Sequence, residues 1–393
     1  MRFASAISES THLRNAVDQA CRQILDQLIG NPCHWACVFI SPLYQQADWA
    51  EANQVIHDHL RPAVLMGCSG HGVIGTDRVV EAVPAVSIFA AHLPDVRLYP
   101  FLISPEELEL ASPGGFWVDK VGIPAQERPN FVLLADPATC DPSKILNELN
   151  ETFPGCPIIG GLASGGEEPG EHVLFYDTEA HRAGAVGVAM TGPLRCETLI
   201  ASGCRPVGQP FVVTKAEEHV VWELGGRQAL EVLRELFVGL SPTDQALAQH
   251  AVFVGMVINE MKPRFSPQDF LIRHLVGIDP PSGAIAVEES IHVGQTLQFH
   301  LRDPSASRGE LRRLLRDHVA ASQAAPHGVL LFNCVGRGKT FYGSTPHDLR
   351  TIREVMGSRV PISGFFCNGE IGPVGGINFL HGYTASLGLF GPR

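Results

Sequence analysis

Runs of lysine or arginine are missing from this 393-residue chain, and acidic residues outnumber basic ones by 41 to 29, giving a formal net charge of −12. A surface of that sign repels phosphate backbones and anionic headgroups, so neither a nucleic-acid partner nor membrane insertion is expected. Long apolar runs are missing too. The longest candidates, such as residues 251–258, fall far short of the ~20 residues that a bilayer core requires. The N-terminus, Met-Arg-Phe-Ala-Ser-Ala-Ile-Ser-Glu-Ser, lacks the basic start and long h-region of a secretory signal. No Cys-x-x-Cys occurs, which removes zinc knuckles and covalent haem attachment, and Cys33, His34 and Cys37 have no second ligand pair. The ten cysteines are scattered, as buried thiols of a cytoplasmic protein would be.

What is present is core material: hydrophobic residues make up 45% of the chain, against 18% charged, which describes a compact globular protein without a disordered arm. At this length two domains are expected, with a boundary in the Gly-, Pro- and Gln-rich segment 203–210, hence 1–205 and 206–393. One order of elements returns three times. Residues 35–40 (strand), 49–60 (helix) and 63–66 (strand) run into Gly67-Cys68-Ser69-Gly70-His71-Gly72-Val73-Ile74-Gly75. Residues 131–135, a helix capped by Asp141-Pro142, and Pro157-Ile158-Ile159 run into Gly160-Gly161-Leu162-Ala163-Ser164-Gly165-Gly166. Residues 329–332, a helix capped by Thr345-Pro346, and Val360-Pro361-Ile362 run into the last such stretch.

Strands after the turns, 173–176 with 185–190 and 377–380 with 383–389, suggest antiparallel pairs. The fold class is therefore α/β of mixed α+β type: two related lobes with mixed β-sheets covered by helices, arranged as an αββα sandwich built from repeated βαβ plus glycine-turn units. In the second half, strands are expected at 211–215, 252–258, 270–276, 284–287 and 296–301. Ser307-Arg308-Gly309-Glu310 reads as a capping box for the helix that follows.

Three familiar motifs fail in context. Gly70-His71-Gly72-Val73-Ile74-Gly75 matches a dinucleotide fingerprint but runs into a valine-rich segment ending at Pro84, with no helix to receive a pyrophosphate. Gly336-Arg337-Gly338-Lys339-Thr340 has Asn333 where a P-loop needs its first glycine. Gly67-Cys68-Ser69-Gly70-His71 resembles a nucleophile elbow with histidine in place of the second glycine, and no triad can be assembled around it.

The densest polar cluster is in residues 361–384, where Cys367, Asn368, Glu370, Asn378, His381, Tyr383 and Thr384 accompany six glycines. Glycine lets backbone approach a ligand, and the side chains supply directional hydrogen bonds. The candidate ligand-binding residues are Arg337, Cys367, Asn368, Gly369, Glu370, His381 and Tyr383, joined by Cys68, Ser69 and Gly70 of the first turn. Arg337 and Glu370 suit an α-carboxylate and an α-ammonium, or pair with each other. Parallel crossovers bring strand ends to one edge of a sheet, so the turns form one cleft or two. No metal ligands and no catalytic residues are assigned; a cysteine-nucleophile enzyme, using Cys68 or Cys367 with His71 or His381, is a further alternative.

In order along the chain, Gly67-Cys68-Ser69, Pro157-Ile158-Ile159-Gly160-Gly161, Phe211-Val212-Val213-Thr214-Lys215-Ala216, Arg337-Gly338 and Gly364-Phe365-Phe366-Cys367-Asn368-Gly369-Glu370-Ile371-Gly372-Pro373 resemble the FIST proteins, with FIST N and FIST C domains. Phe299-His300-Leu301-Arg302-Asp303 also fits the second domain, and the resemblance covers almost the whole chain. It implies an intracellular sensor of a small polar metabolite, with amino acids the proposed class. Relatives carry output domains or an F-box; this chain is too short for either, so its signal is expected to pass through a partner protein or a homo-oligomer. Family members that resemble haem-binding gas sensors make haem an alternative cofactor, with His71 or His381 as its ligand.

Overall fold

The computed structural model describes residues 1–44, 49–249, 252–322, 324–343 and 347–393. The chain is of mixed α/β class, with mixed sheets and helices. It divides into two compact units, Met1–Ile200 with Arg312–Arg393, and Ala201–Leu311. Among the described residues no helix is long and apolar enough to cross a membrane.

In the first unit one series of elements recurs. β1 (Arg2–Ser8), α1 (Leu13–Leu28), β2 (Trp35–Ile40), α2 (Trp49–Leu60) and β3 (Val64–Ser69) lead through the first glycine turn to a hairpin, β4 (Gly72–Ile74) and β5 (Val79–Glu81), and a return strand, β6 (Val86–His92). The second copy comprises β7 (Arg97–Ile103), α3 (Pro105–Leu110), α4 (Gly115–Val121), β8 (Asn130–Ala135), α5 (Pro142–Thr152) and β9 (Ile158–Leu162), then the hairpin β10 (Leu174–Tyr176) and β11 (Glu179–His181), and the return strand β12 (Ala185–Thr191). Local chemistry sets the helix starts. Ser104 closes a capping box with Glu107 before α3, and the Asp141 carboxylate accepts from the amides of Ser143 and Lys144 before α5.

The third copy opens with β13 (Leu194–Ala201), after which the chain builds the second unit. That unit consists of β14 (Cys204–Glu217), β15 (Val220–Leu224), β16 (Arg227–Gln228), α6 (Ala229–Gly239), α7 (Pro242–Ala248), β17 (Val252–Val257), β18 (Phe270–Asp279), β19 (Ala284–Val287) and β20 (Thr296–Arg302). They form a seven-stranded sheet in the order β14-β20-β17-β18-β19-β15-β16. The chain then enters α8 (Pro304–Ala321), which starts earlier than the expected capping box: Asp303 accepts from the amides of Ser305 and Ala306, so Ser307 lies inside the helix. The third copy resumes with β21 (Gly328–Cys334), α9 (Lys339–Tyr342), α10 (His347–Met356), β22 (Ile362–Cys367), the hairpin β23 (Glu370–Val374) and β24 (Ile377–His381), and the return strand β25 (Ala385–Pro392). The expected cap Thr345-Pro346 lies outside the described residues.

The three six-stranded sheets of the first unit share one order: opening strand, return strand, the parallel pair, then a hairpin. They read β1-β6-β2-β3-β10-β11, β7-β12-β8-β9-β23-β24 and β13-β25-β21-β22-β4-β5. The hairpin is never the copy's own. Each turn sends its hairpin onto the parallel pair of another copy, so that copy one completes copy three, copy three completes copy two, and copy two completes copy one. This exchange corrects two expected pairings: 173–176 pairs with β3 and β11, not with 185–190, and 377–380 pairs with β23, not with 383–389. A short strand is marginal alone, and the open edge of a neighbouring pair completes its backbone hydrogen bonding. All three copies lie in the first unit.

Strand alternation then assigns the layers. Phe39, Phe89, Leu134, Ile159, Phe332, Phe365 and Phe390, drawn from all three sheets, meet in one central core. The opposite faces receive helices: Val38, Ile40 and Ile88 pack under α1 and α2, and Phe131 and Leu133 under α4 and α5. Each parallel pair also sets a glycine against a carbonyl of its neighbour. A Cβ on Gly67, Gly160 or Gly364 would lie 1.9, 1.8 and 1.8 Å from the carbonyl oxygens of Val38, Leu133 and Leu331, their register partners. Any side chain there has to force the buried strands of the pair apart. Gly364→Ala is therefore expected to destabilise the first unit by at least about 2 kcal/mol, the scale of overpacking in a close-packed interior. Urea denaturation measures it, and a loss under about 0.5 kcal/mol would contradict the close approach.

Candidate functional site

Because β3, β9 and β22 are the second strands of equivalent parallel pairs, their C-terminal ends release three equivalent turns. A single buried hydroxyl ties these together. Ser164 Oγ accepts from the His71 amide at 2.8 Å and donates to the Phe366 carbonyl, while the Ser164 amide donates to the Ser69 carbonyl at 3.2 Å. The second and third turns are joined again where the Leu162 amide donates to Gly369 and the Asn368 amide to Leu162. The loop after Ser164 also needs its glycines. Gly165 sits at φ +93° against Pro42, and a Cβ on Gly166 would lie 2.5 Å from that of Glu171.

Over this junction opens a cleft of about 870 Å³, lined by His71 of the first turn, residues 165–168, 171 and 172 of the second, Asn368 of the third, and Pro137, Ala138 and Val335. That volume suits a small ligand. Its floor holds a buried pair: His172 Nδ1 lies 2.8 Å from Asp136 Oδ1, with the two side chains 1% and 0% exposed. Burial pushes the Asp136 carboxyl up, but hydrogen bonds from His172, the Ala138 amide and Thr139 outweigh it and hold the group below its ordinary value. An ionised carboxylate cannot donate, so Nδ1 of His172 is the donor in this contact. Its Nε2 has no partner among the described residues. At the rim, Glu171 Oε2 accepts from the amides of Glu167 and Glu168. No lysine or arginine is among the described residues that line the cleft.

The residues proposed from sequence are distributed differently. Asn368 and His71 line the cleft, whereas Cys68, Ser69, Gly70, Cys367 and Gly369 lie buried beneath it. Arg337 is closed: it makes a two-pronged bond to Asp348, each N–O distance 3.0 Å, and donates to the Tyr383 carbonyl. Asp348 would be raised by burial, yet the Arg337 charge and hydrogen bonds hold it well below the carboxylate range. Glu370 is fully buried and accepts from the amide and hydroxyl of Thr384, 3.0 and 2.8 Å away. Burial raises its carboxyl to about 8 against those bonds and the Arg337 charge. His381 is buried, its Nε2 donating to the Gly372 carbonyl at 2.9 Å. Burial also lifts the Cys68 and Cys367 thiols well above their usual value, and Glu370 adds to this at Cys367, so neither offers a thiolate at neutral pH.

Ser164, Asp136, His172 and the three glutamates escaped the sequence reading. The available signal was positional: Asp136 immediately follows β8, and His172 lies two residues before β10, both at the edge where open α/β sheets bind ligands.

Comparison with known proteins covers both halves of the chain: the FIST N domain matches residues 34–227 and the FIST C domain residues 229–373. The chain belongs to the FIST family. Full-length relatives of this FIST chain include uncharacterized protein Rv0628c of Mycobacterium tuberculosis (strain H37Rv), 35% identical over 99% of this chain and 100% of the relative. Uncharacterized protein Mb0898c of Mycobacterium bovis is 34% identical over 99% of both. FIST domains are associated with small-ligand sensing and signalling. The FIST N match runs past Ile200 into the second compact unit, and the FIST C match runs back into the first, so the family domains and the compact units divide the chain differently.

Haem does not fit the cleft of this FIST protein. Porphyrin faces pack on apolar walls and the propionates favour cations, but among the described residues that line the cleft three are glutamates and none is lysine or arginine; of the two candidate ligands His71 lines the cleft and His381 is spent on Gly372. Two predictions concern the scaffold. Ser164→Ala removes both bonds of a buried hydroxyl and is expected to cost about 1–3 kcal/mol, read by denaturation, with faster amide exchange at His71. An unchanged exchange rate would refute the tie. For Glu370, the unfolded carboxyl ionises near 4.5 and the folded one near 8. Between those values the folded state binds more protons, so the group's contribution is fully present below pH 4.5 and is lost as pH rises through 8. Melting temperatures of Glu370→Gln across pH 5–8 should therefore decline less than those of the parent; parallel curves would disprove the shift.

Proposed function

We propose that this protein is a cytoplasmic, non-enzymatic sensor or binding module that holds a small polar metabolite bearing a protonated amine, amino acids included, in the cleft over Ser164. The observation that carries this reading is the convergence of all three glycine turns on one cleft, with polar side chains from each lining it or tied beneath it. An ammonium matches the glutamate rim and the Asn368 carbonyl. The ten cysteines are free thiols, which supports a reducing compartment. A ligand touching three copies of the repeat at once draws their hairpins into one arrangement, and a partner protein or a second copy of the chain reads that change as the output.

A thermal-shift screen of amino acids and small amines tests the proposal. At a hundredfold excess over Kd, a ligand specific to the folded state stabilises it by about 2.7 kcal/mol, which is a readily measured rise in melting temperature. Asn368 is exposed, so Asn368→Ala should leave the free protein's melting temperature unchanged and shrink the ligand-induced rise. If no member of the panel raises the melting temperature, the reading fails.

A further inference from the structure

The hairpin that the third copy sends to the second has a neck. The chain leaves the third sheet after Cys367, the end of β22, and enters the second at Glu370, the start of β23; it crosses back between His381, the end of β24, and Ala385, the start of β25. One side chain staples the outgoing crossing to the returning one. Glu370 Oε2 accepts from the Thr384 amide and hydroxyl, at 3.0 and 2.8 Å. The backbone beside it is tied to the second turn, because the Gly369 carbonyl accepts from the Leu162 amide and the Asn368 amide donates to the Leu162 carbonyl. Asn368 in turn lines the cleft. On the returning side Tyr383 is held at φ 63°, a left-handed conformation that a bulky residue keeps only where its surroundings impose it.

We propose that Glu370 is a proton-operated latch on this neck: the neutral carboxyl keeps the neck closed, and ionisation lets β23 and β24 open together with the Asn368 wall of the cleft. As a means of regulating the cleft it rests on the sensor reading, whereas the latch itself needs no ligand.

The groups that face the carboxyl decide its charge. Arg337 is nearby, but its guanidinium is engaged by Asp348 and donates to the Tyr383 carbonyl, so its charge is already offset. Cys334 ends β21 and Cys367 ends β22, and both bring thiols to the same place. His381 stands opposite Glu370 in register, with its Nε2 donating to the Gly372 carbonyl. β9 and β25 present no titratable side chain. Glu370 is 0% exposed, and its Oε1 accepts from no N–H or O–H group among the described residues. An ionised carboxylate in that position is short of both water and donors. Burial therefore outweighs the Thr384 bonds and the Arg337 charge and raises the carboxyl to about 8. Once the neck is open the same group meets water and ionises near 4.5. Opening thus releases a proton, and rising pH drives it. With one proton released, the opening constant should rise about tenfold per pH unit between about 5.5 and 7.5 and level off above about 8.

Amide hydrogen exchange of the full chain, with each rate divided by its intrinsic rate at that pH, reads the opening. At pH 7.5 the hydrogen-bonded amides of residues 371–381 should exchange faster than those of β8, and their opening should follow the slope just given. Glu370→Gln, neutral at every pH, should remove that slope. Should the variant fold poorly, carbon-13 titration of the Glu370 carboxyl in the parent gives an independent reading, with a midpoint near 8 that keeps step with the hairpin's exchange. A hairpin that exchanges no faster than β8, and with the same slope, would mean that the carboxyl acts on global unfolding alone, which overturns the latch. So does a slope that survives in Glu370→Gln, or a carboxyl midpoint near 4.5. Each of these results leaves the sensor reading standing, because that reading is decided separately by the ligand screen.

Discussion

The buried hydroxyl of Ser164 is the constraint on which the arrangement of the site depends. It meets backbone groups of the first and third turns from a position in the second, and each of those turns ends a different sheet. A hydroxyl can accept and donate at once, which a methyl or a carboxylate in the same place cannot. The junction therefore fixes three strand ends with one short side chain. A cleft above it inherits walls from all three copies without needing a loop long enough to cross between them.

The exchange of hairpins explains why the junction is rigid enough to support a cleft. A turn that returned to its own sheet would leave each copy with a closed edge and no obligation to its neighbours. Here β4, β10 and β23 each complete another copy's parallel pair, so no copy completes its sheet alone and the three sheets are whole together only when all three copies have folded. That makes the first unit cooperative, and it also explains how the chain accommodates an insertion of some hundred residues: β13 and α8 are joined through a second unit with its own sheet and no strand in the threefold exchange.

Much of this was legible in the sequence, and its limit is physical. The three strand-helix-strand-turn series could be read from apolar periodicity, Asp-Pro and Ser-Pro helix starts, and glycine. Partner choice could not, because hydrophobic alternation says that β10 lies in a sheet but not which edge it joins, and the expected pairing with the return strand that follows was wrong for both hairpins. Arg337 shows the same limit in a side chain. Glu370 and Asp348 are both carboxylates within reach by sequence, and only the inward face of α10, where Asp348 lies beside Leu349, Thr351 and Ile352, favours the latter. The glycine-rich terminal stretch was a sound pointer to place, since Asn368 does line the cleft, yet most of its polar groups serve the layer beneath.

That layer has a logic of its own. Arg337, Asp348 and Glu370 are among the most buried ionisable groups in the chain, and a charge taken out of water is tolerated only with full partners or as a neutral group. Arg337 and Asp348 take the first course through a two-pronged pair, and Glu370, its carboxyl raised to about 8, takes the second at neutral pH. Groups so committed cannot also exchange a small ligand, because each arrival would have to repay the broken pair. The cleft residues are the reverse: exposed glutamates that keep their water and are not tied into buried pairs, and one buried imidazole nitrogen without a partner among the described residues. Sequence richness in polar residues marks both layers alike, and it is the state of their hydrogen bonds that separates support from recognition.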